Sequence, residues 1–321
     1  MFHRNFYTIE KHTLAKIFGL VFSIIYGFFV MASVQRHFIL GSGDITAYVN
    51  FFEAFEVWTN FNDFSLRGEG VFRYAIFMLS NLLNQSFLII LGYLAFVTSS
   101  IIFCVYCVNV RSKNYIYHIS PLIIMVFFTP RVMNLFASGI RSGIAFTILF
   151  IAIVYLRGAK KHILFGLSCI IHLSMIPIIS LYFLYYLCNN KRIRFSFIPS
   201  LMVLLSYSFI VALVGGEIHI SKGVSSSTDY KLFVFYIGLL IIYSNRNVLK
   251  DIHGFISVGI ILIVLSGFIT DFSFIRYVGN AIVFYLFFLI KRGNTKTFQV
   301  FTAGYAPFFI LTLLYSITNH W

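Results

Sequence analysis

Residues His162–Cys188 read HILFGLSCIIHLSMIPIISLYFLYYLC, and this stretch sets the topology that the rest of the chain must follow. It is apolar, yet basic clusters border it on both sides, Lys160-Lys161 before it and Lys191-Arg192-Ile193-Arg194 after it. Basic loops stay on the cytoplasmic side of a membrane, so a single span cannot satisfy both clusters. The sequence therefore predicts a short helical hairpin with its tip at His172–Ser174, and short broken helices usually line cavities.

The remainder of the chain has the same apolar character. Hydrophobic residues make up 60% of its 321 residues and charged residues 11%, with a mean hydropathy of +0.90. Such a chain is too apolar to cover a water-facing surface around one core. Apolar runs of about 17–25 residues, the length that crosses a bilayer as a helix, recur from Leu14 almost to the C-terminus. Barrel strands would alternate polar and apolar residues, so the sequence predicts an all-α polytopic membrane protein.

Hydropathy and the basic clusters together predict about eleven transmembrane helices, with the N-terminus cytoplasmic and the C-terminus outside. The hairpin supplies two of them, and the first span is interpreted as uncleaved. This path puts the whole net charge of +14 on the cytoplasmic side. The other predicted spans are Leu14–Gln35, Ser86–Val110, Tyr115–Thr129, Ser138–Leu156, Phe195–Val214, Lys231–Tyr243, Ile252–Thr270, Phe274–Ile290 and Phe298–Ile317.

Residues 1–321 are predicted to form a single integral membrane domain with one long extracytoplasmic loop at 36–85. Within this loop, Val71–Leu83 has helical character and is expected to lie in the interface or dip into the membrane. The basic residues form no continuous face, so nucleic acid is not expected as a partner. Neither a disulfide framework nor a metal site is expected from the four cysteines, which lie in or beside apolar runs: Cys104, Cys107, Cys169 and Cys188.

Arginines on the outer side run against the usual charge bias of membrane proteins. Three of them are predicted at helix ends: Arg131 ends the third helix, Arg141 begins the fourth and Arg276 opens the tenth. A guanidinium fork matches phosphate oxygens, so several together can hold a pyrophosphate. Alternatively, they snorkel to lipid headgroups or pair with acidic residues. The full outer set is Arg36, Arg67, Arg73, Arg131, Arg141 and Arg276.

Two residues are candidates for proton transfer on the same side. His172 lies at the predicted hairpin tip, where an imidazole can exchange a proton or donate to a phosphate; capping a helix end is the structural alternative. Asp44 follows Gly41-Ser42-Gly43, with Tyr48 one helical turn further on. Asp44 would act as a base, orient an arginine or cap a helix. No motif for ATP, metal hydrolysis, dinucleotides or a serine nucleophile occurs, so no cofactor and no metal are expected.

These motifs resemble the EpsG-like, Wzy-type family of polysaccharide (O-antigen) polymerases. The chain departs from the family pattern at Ser142, where glutamine is common, and at Gly70, where a proline often follows the glutamate. The resemblance is carried by Asp44-x-x-x-Tyr48, Glu69-Gly70-Val71-Phe72, Arg141-Ser142-Gly143-Ile144-Ala145, His172 and Arg276-Tyr277.

The resemblance implies a lipid-dependent, inverting glycosyltransferase with a GT-C-like bundle in the bacterial inner membrane. Such an enzyme moves a glycan from undecaprenyl pyrophosphate onto a lipid-linked repeat unit at the periplasmic face, and a chain-length regulator is a further partner. Residues and resemblance together assign Asp44 and His172 to catalysis, Arg131, Arg141 and Arg276 to the pyrophosphate, and supporting roles to Tyr48, Glu69, Arg73 and Tyr277.

Two other functions stay open. A membrane acyltransferase of about ten spans that modifies surface polysaccharide has a similar length, but no His-Arg cluster lies at the cytoplasmic end of an early span. A flippase or other transporter of lipid-linked glycans would equally contain broken helices and cavity-lining charges. Against it, no inverted repeat is evident, and the charges lie at the outer rim.

Overall fold

The computed structural model describes residues 2–41, 45–46, 48–50, 70–109, 121–189, 197–217, 228–245, 247–269, 277–292 and 295–318. This part of the chain is all-helical, with 92% of it in helices and no strand. The predicted all-α class is therefore confirmed for the described residues.

The helices follow one another with short connections wherever the connection is described. Residues 121–127 are also helical, and 3-10 turns occur at Leu173–Met175 and Val248–Lys250. The longer helices are α1 (Phe2–Ile39), α2 (Gly70–Leu83), α3 (Phe87–Asn109), α4 (Pro130–Ala137), α5 (Ile140–Tyr155), α6 (Ala159–Ile171), α7 (Ile176–Cys188), α8 (Phe197–Glu217), α9 (Thr228–Ser244), α10 (Ile252–Ile269), α11 (Tyr277–Arg292) and α12 (Thr295–Thr318).

Most predicted spans agree with observed helices to within a few residues, and two differences have physical causes. Helix α1 begins at Phe2 rather than Leu14, because no glycine or proline interrupts the polar N-terminal segment. Helix α4 is not predicted at all. Its first residue is Pro130, a residue that favours the first position of a helix because its fixed φ suits the helix and its missing N–H is not needed there.

Within the described residues, four helices are long and apolar enough to cross a membrane: Gly19–Ile39 within α1, α3, α10, and Lys296–Leu314 within α12. A fifth span results if α4 and α5, which meet at 99°, count as one broken span. Helices α2, α7, α8 and α9 include shorter apolar segments. The described residues thus have the structure of a polytopic helical membrane protein. The number of about eleven spans stays a prediction.

The chain divides into two compact units, and its predicted single domain stays a prediction. Unit 1 comprises Met1–Arg111 and Met133–Leu173, and unit 2 comprises Ser112–Val132 and Ser174–Trp321. In unit 1, α3 packs against α1 and α5, and α5 packs against α6. In unit 2, α10 is the central helix, with α7, α8, α9 and α11 packed against it.

The stretch His162–Cys188 is broken, as the flanking charges predict. Helix α6 ends at Ile171, and His172 has extended backbone angles (φ −153°, ψ 113°). The 3-10 turn follows, and Pro177 then lies in the first turn of α7. Helix α6 packs on α5 in unit 1, and α7 packs on α10 in unit 2. The predicted hairpin pairing of the two halves stays a prediction.

Candidate anion-binding site

The turn between α4 and α5 changes the chain direction sharply inside unit 1. The backbone carbonyl of Asn134 accepts hydrogen bonds from the N–H groups of Ser138 (3.2 Å) and Gly139 (3.0 Å). It also accepts one from the Ser138 hydroxyl at 3.1 Å. These three hydrogen bonds hold the turn that follows α4, at the 99° bend between α4 and α5.

Gly143 allows α5 to start directly against α4. A Cβ atom on Gly143 would lie 2.7 Å from the carbonyl oxygen of Leu135, closer than real Cβ atoms approach, and 3.2 Å from Cα of Phe136. The sequence predicts close helix approach at Gly139 and Gly143. The structure confirms it for Gly143, whereas Gly139 precedes the helix as its N-cap (φ −97°, ψ 47°).

Helix α5 begins deeper in unit 1 than its neighbour α3 does. Tyr106 of α3 stacks on Phe150 of α5 with ring centroids 5.7 Å apart, and the Asn109 side-chain amide donates to the Tyr155 hydroxyl at 2.8 Å. Both helices therefore run in one direction and end at one level. Since α3 has 23 residues and α5 has 16, α5 starts about 10 Å short of the level where α3 starts.

This recessed helix start combines features that suit an anion. Arg141 is the second residue of α5 and is half-buried. The N-cap Gly139 makes no side-chain capping hydrogen bond, so no side chain from that position satisfies the first-turn N–H groups. These N–H groups, the positive end of the helix dipole and a guanidinium all point to binding of a phosphate or carboxylate.

His172 returns to nearly the same level of unit 1. Helix α6 packs against α5 and follows it after Leu156–Gly158, so the two helices are antiparallel. Helix α6 has three residues fewer than α5. His172, which follows α6, therefore lies within about 5 Å of the level where α5 starts, measured along the helix axis. The half-buried His172 and Arg141 thus lie at one end of unit 1, and their predicted place in a common site stays a prediction.

His37 is a functional candidate that the sequence analysis does not include. It lies in the last turn of α1 and is buried, and its Nε2 atom is 3.1 Å from Oδ1 of Asn134. The carbonyl of Asn134 accepts the hydrogen bonds of the α4–α5 turn. His37 therefore connects the end of α1 to the turn that directly precedes Arg141. The sequence feature that could have identified His37 is its position directly after Arg36, one of the predicted outer arginines.

The segment after α1 is packed into unit 1 near the start of α2. Tyr48 is buried, and its ring lies edge-on to Phe72 with centroids 5.9 Å apart. Phe72 precedes the half-buried Arg73 in α2. The predicted supporting residues Tyr48 and Arg73 therefore belong to one region, whereas Asp44 and Glu69 lie outside the described residues.

In unit 2, the structure corrects the predicted position of Arg131. This residue does not end the third helix; it is the second residue of α4, after the turn at Phe128 and Thr129. Its backbone faces α11, because a Cβ on Gly279 would lie 3.0 Å from the Arg131 carbonyl oxygen. Arg276, the residue directly before α11 in the sequence, lies outside the described residues, so a site shared by Arg131, Arg141 and Arg276 stays a prediction.

Tyr277 begins α11 and anchors the segment that follows His172. It is buried, and its hydroxyl donates to the backbone carbonyl of Ser174 at 2.8 Å. One turn further, Asn280 is only 3% exposed, and its Oδ1 atom is buried with no hydrogen-bond partner. An amide inside an apolar helix is the sequence signal for Asn280, since polar groups are rare there.

The described residues include no group of three or more His, Cys, Asp or Glu side chains that could hold a metal ion.

The features of unit 1 define a class of protein: a helical membrane protein with a half-buried arginine at the recessed start of a broken span. Comparison of the chain with protein-family models, with curated proteins and with solved structures gives no match.

Proposed function

We propose that this protein is a polysaccharide (O-antigen) polymerase. In this proposal it is an inverting glycosyltransferase that moves a glycan from undecaprenyl pyrophosphate onto a lipid-linked repeat unit. The single observation that carries the proposal is the recessed start of α5, where Arg141 and the first-turn N–H groups lie at one end of unit 1 with His172. This arrangement offers cationic donors and a titratable group without any motif for ATP or metal.

The chemistry needs a site for a leaving group that gains negative charge. The acceptor hydroxyl oxygen attacks the anomeric carbon while the bond from that carbon to the pyrophosphate oxygen breaks, which inverts the configuration. Arg141 and the α5 dipole would stabilise the departing pyrophosphate as its charge develops. His172 or Asp44 would accept the hydroxyl proton. His37 would act on Arg141 through Asn134, as a positioning residue.

The proposal includes the finer features that the sequence predicts. These are about eleven spans in a GT-C-like bundle, a cytoplasmic N-terminus in the bacterial inner membrane and a catalytic face toward the periplasm. Arg131 and Arg276 are proposed to add charge to the pyrophosphate site. Undecaprenyl-pyrophosphate-linked oligosaccharide is the proposed substrate, and a chain-length regulator is the proposed protein partner.

The test is surface glycan length in a deletion strain that carries plasmid-borne variants at equal membrane levels. Arg141→Ala and His172→Ala are expected to leave single repeat units, and Arg141→Lys to restore short chains because lysine keeps the charge but not the planar fork. Arg157→Ala is the matched control, since Arg157 is exposed at the opposite end of α5. Wild-type chain length from both alanine variants would contradict the proposal.

A flippase is the second candidate, because the 99° break between α4 and α5 is also typical of transporters. The two functions leave the lipid-linked repeat unit on opposite sides of the membrane. In the deletion strain, single repeat units that an added glycosidase can cleave in intact spheroplasts support the polymerase. Repeat units that become cleavable only after lysis support the flippase.

A further inference from the structure

A second charged cluster lies in unit 2, where α10 begins and α11 ends. It consists of Lys250, Asp251, His253, Lys291 and Arg292, and we call it the α10–α11 cluster. Because α10 is a candidate membrane span, its first residues would lie at the level of a membrane surface. None of these residues takes part in the site proposed above.

Asp251 joins the two helices through both of its carboxylate oxygens. Its Oδ1 accepts the backbone N–H of His253 at 2.9 Å, which caps the start of α10. Its Oδ2 accepts from Nε of Arg292, the last residue of α11, at 3.3 Å. The Asp251 side chain is 11% exposed and that of Arg292 is 70% exposed, so the guanidinium is held at one edge and reaches outward.

Lys291 is held by an aromatic and a histidine side chain. Its Nζ atom lies 4.9 Å from the ring centroid of Phe287 and 3.5 Å from Nε2 of His253. His253 is 2% exposed, and its ring lies edge-on to Phe287 at 4.8 Å. These contacts reduce the number of positions open to the exposed Lys291 side chain, so its charge is placed before a ligand arrives.

Lys250 is fixed through its backbone. The Tyr185 hydroxyl donates to the Lys250 carbonyl at 3.0 Å. The 3-10 turn that carries Lys250 packs on α10 at Gly254, where a Cβ would collide with the carbonyl oxygen of Val248. The side chain of Lys250 is exposed, so the cluster presents three cations around a single carboxylate and has two positive charges in excess.

We propose that the α10–α11 cluster binds the phosphate of an anionic phospholipid headgroup. Lysine and arginine near a bilayer surface attract anionic lipids, and basic groups between helix ends are typical headgroup sites. Large apolar side chains at the same end of α7 support a lipid rather than a soluble phosphate. Tyr186 is 53% exposed and Leu187 is 65% exposed, next to the residue that holds Lys250, and they offer acyl chains a surface that a free ion does not need.

The test uses purified full-length protein in neutral detergent, delipidated and titrated with phosphatidylglycerol or phosphatidylcholine, with bound lipid counted by native mass spectrometry. The double variant Lys291→Gln/Arg292→Gln removes two charges from the cluster. Arg157→Gln/Lys160→Gln removes two exposed charges from unit 1 and is the matched control. Lys291→Arg keeps the charge, and gel filtration and circular dichroism confirm folding of each variant.

We expect one saturable phosphatidylglycerol site, weakened about tenfold or more in the cluster variant, unchanged in the control and retained in Lys291→Arg. Equal weakening in both double variants would show general charge attraction and overturn the site. Competition with millimolar inorganic phosphate separates the two sources of the phosphate group. Phosphatidylglycerol that stays bound supports the lipid headgroup, and full displacement would overturn it in favour of a soluble phosphate.

Discussion

Replacement of Gly143 by alanine tests the contact that holds Arg141 in its recessed position. The new Cβ would lie 2.7 Å from the Leu135 carbonyl oxygen, 3.1 Å from Cδ1 of Phe136 and 3.2 Å from its Cα. Two of these three atoms belong to the backbone, so they cannot rotate away. The start of α5 must therefore shift relative to α4, at a cost of about 1–3 kcal/mol for overpacking.

Gly166→Ala is the matched control for this variant. Gly166 lies in α6, and a Cβ there would have no neighbour within 4 Å. Both substitutions gain about 1 kcal/mol of helix propensity, so this gain cancels when the two variants are compared. The remaining difference of about 1–3 kcal/mol is due to the clash alone.

The assay is thermal unfolding of both variants in one detergent, followed by far-UV circular dichroism. A difference of 1 kcal/mol shifts the midpoint by about 2–4 °C for a domain of 150–250 residues. Gly143→Ala should melt several degrees below Gly166→Ala and should also shorten the surface glycan, because Arg141 moves with the helix start. Equal melting temperatures together with wild-type glycan from Gly143→Ala would refute the packing argument.

Further predictions concern three hydrogen-bonding side chains, those of Thr129, Tyr277 and Asp251. Thr129→Val removes the 2.8 Å hydrogen bond to the buried Tyr305 hydroxyl and should lower the free energy of unfolding by about 1–3 kcal/mol. The double variant Thr129→Val/Tyr305→Phe should recover part of this loss, because no hydroxyl is then left without a partner. A double variant whose loss equals the sum of the two single losses would exclude the coupling. Tyr277→Phe loses the donor to the Ser174 carbonyl and should cost about 1–2 kcal/mol in chemical denaturation, whereas an unchanged midpoint would argue against this anchor. Asp251→Asn should cost less than about 1 kcal/mol because Arg292 is largely exposed. Asp251→Ala should cost about 1 kcal/mol more through loss of the α10 cap, and equal stability of the two variants would contradict that role.

Hydropathy and charge predict the helices well because a membrane helix is defined by the composition of its own stretch of sequence. The break at His172 follows from basic residues on both sides of one apolar stretch, and the structure places it between Ile171 and Leu173. Helix α4 could not be predicted in this way, because its eight residues are too few to give a hydropathy signal. Only Pro130 marks its start.

Two residues of the candidate site could be predicted from the sequence, whereas its geometry could not. Arg141 and His172 stand out as charged or titratable groups at the ends of apolar runs. The depth of Arg141 depends on the packing of α3 on α5, through Tyr106 and Phe150, and a single sequence does not encode such a contact in any local pattern. His37 was missed for the same reason, since its partner Asn134 is 97 residues away.

The most direct measurement is the affinity of purified protein for undecaprenyl pyrophosphate, compared between the wild type, Arg141→Gln and Arg157→Gln. A hydrogen bond to a charged group contributes about 1.5–3 kcal/mol, so Arg141→Gln should raise the Kd about tenfold or more. Arg157→Gln should leave the Kd unchanged. Equal Kd values for all three proteins would contradict the assignment of the α5 start to the pyrophosphate.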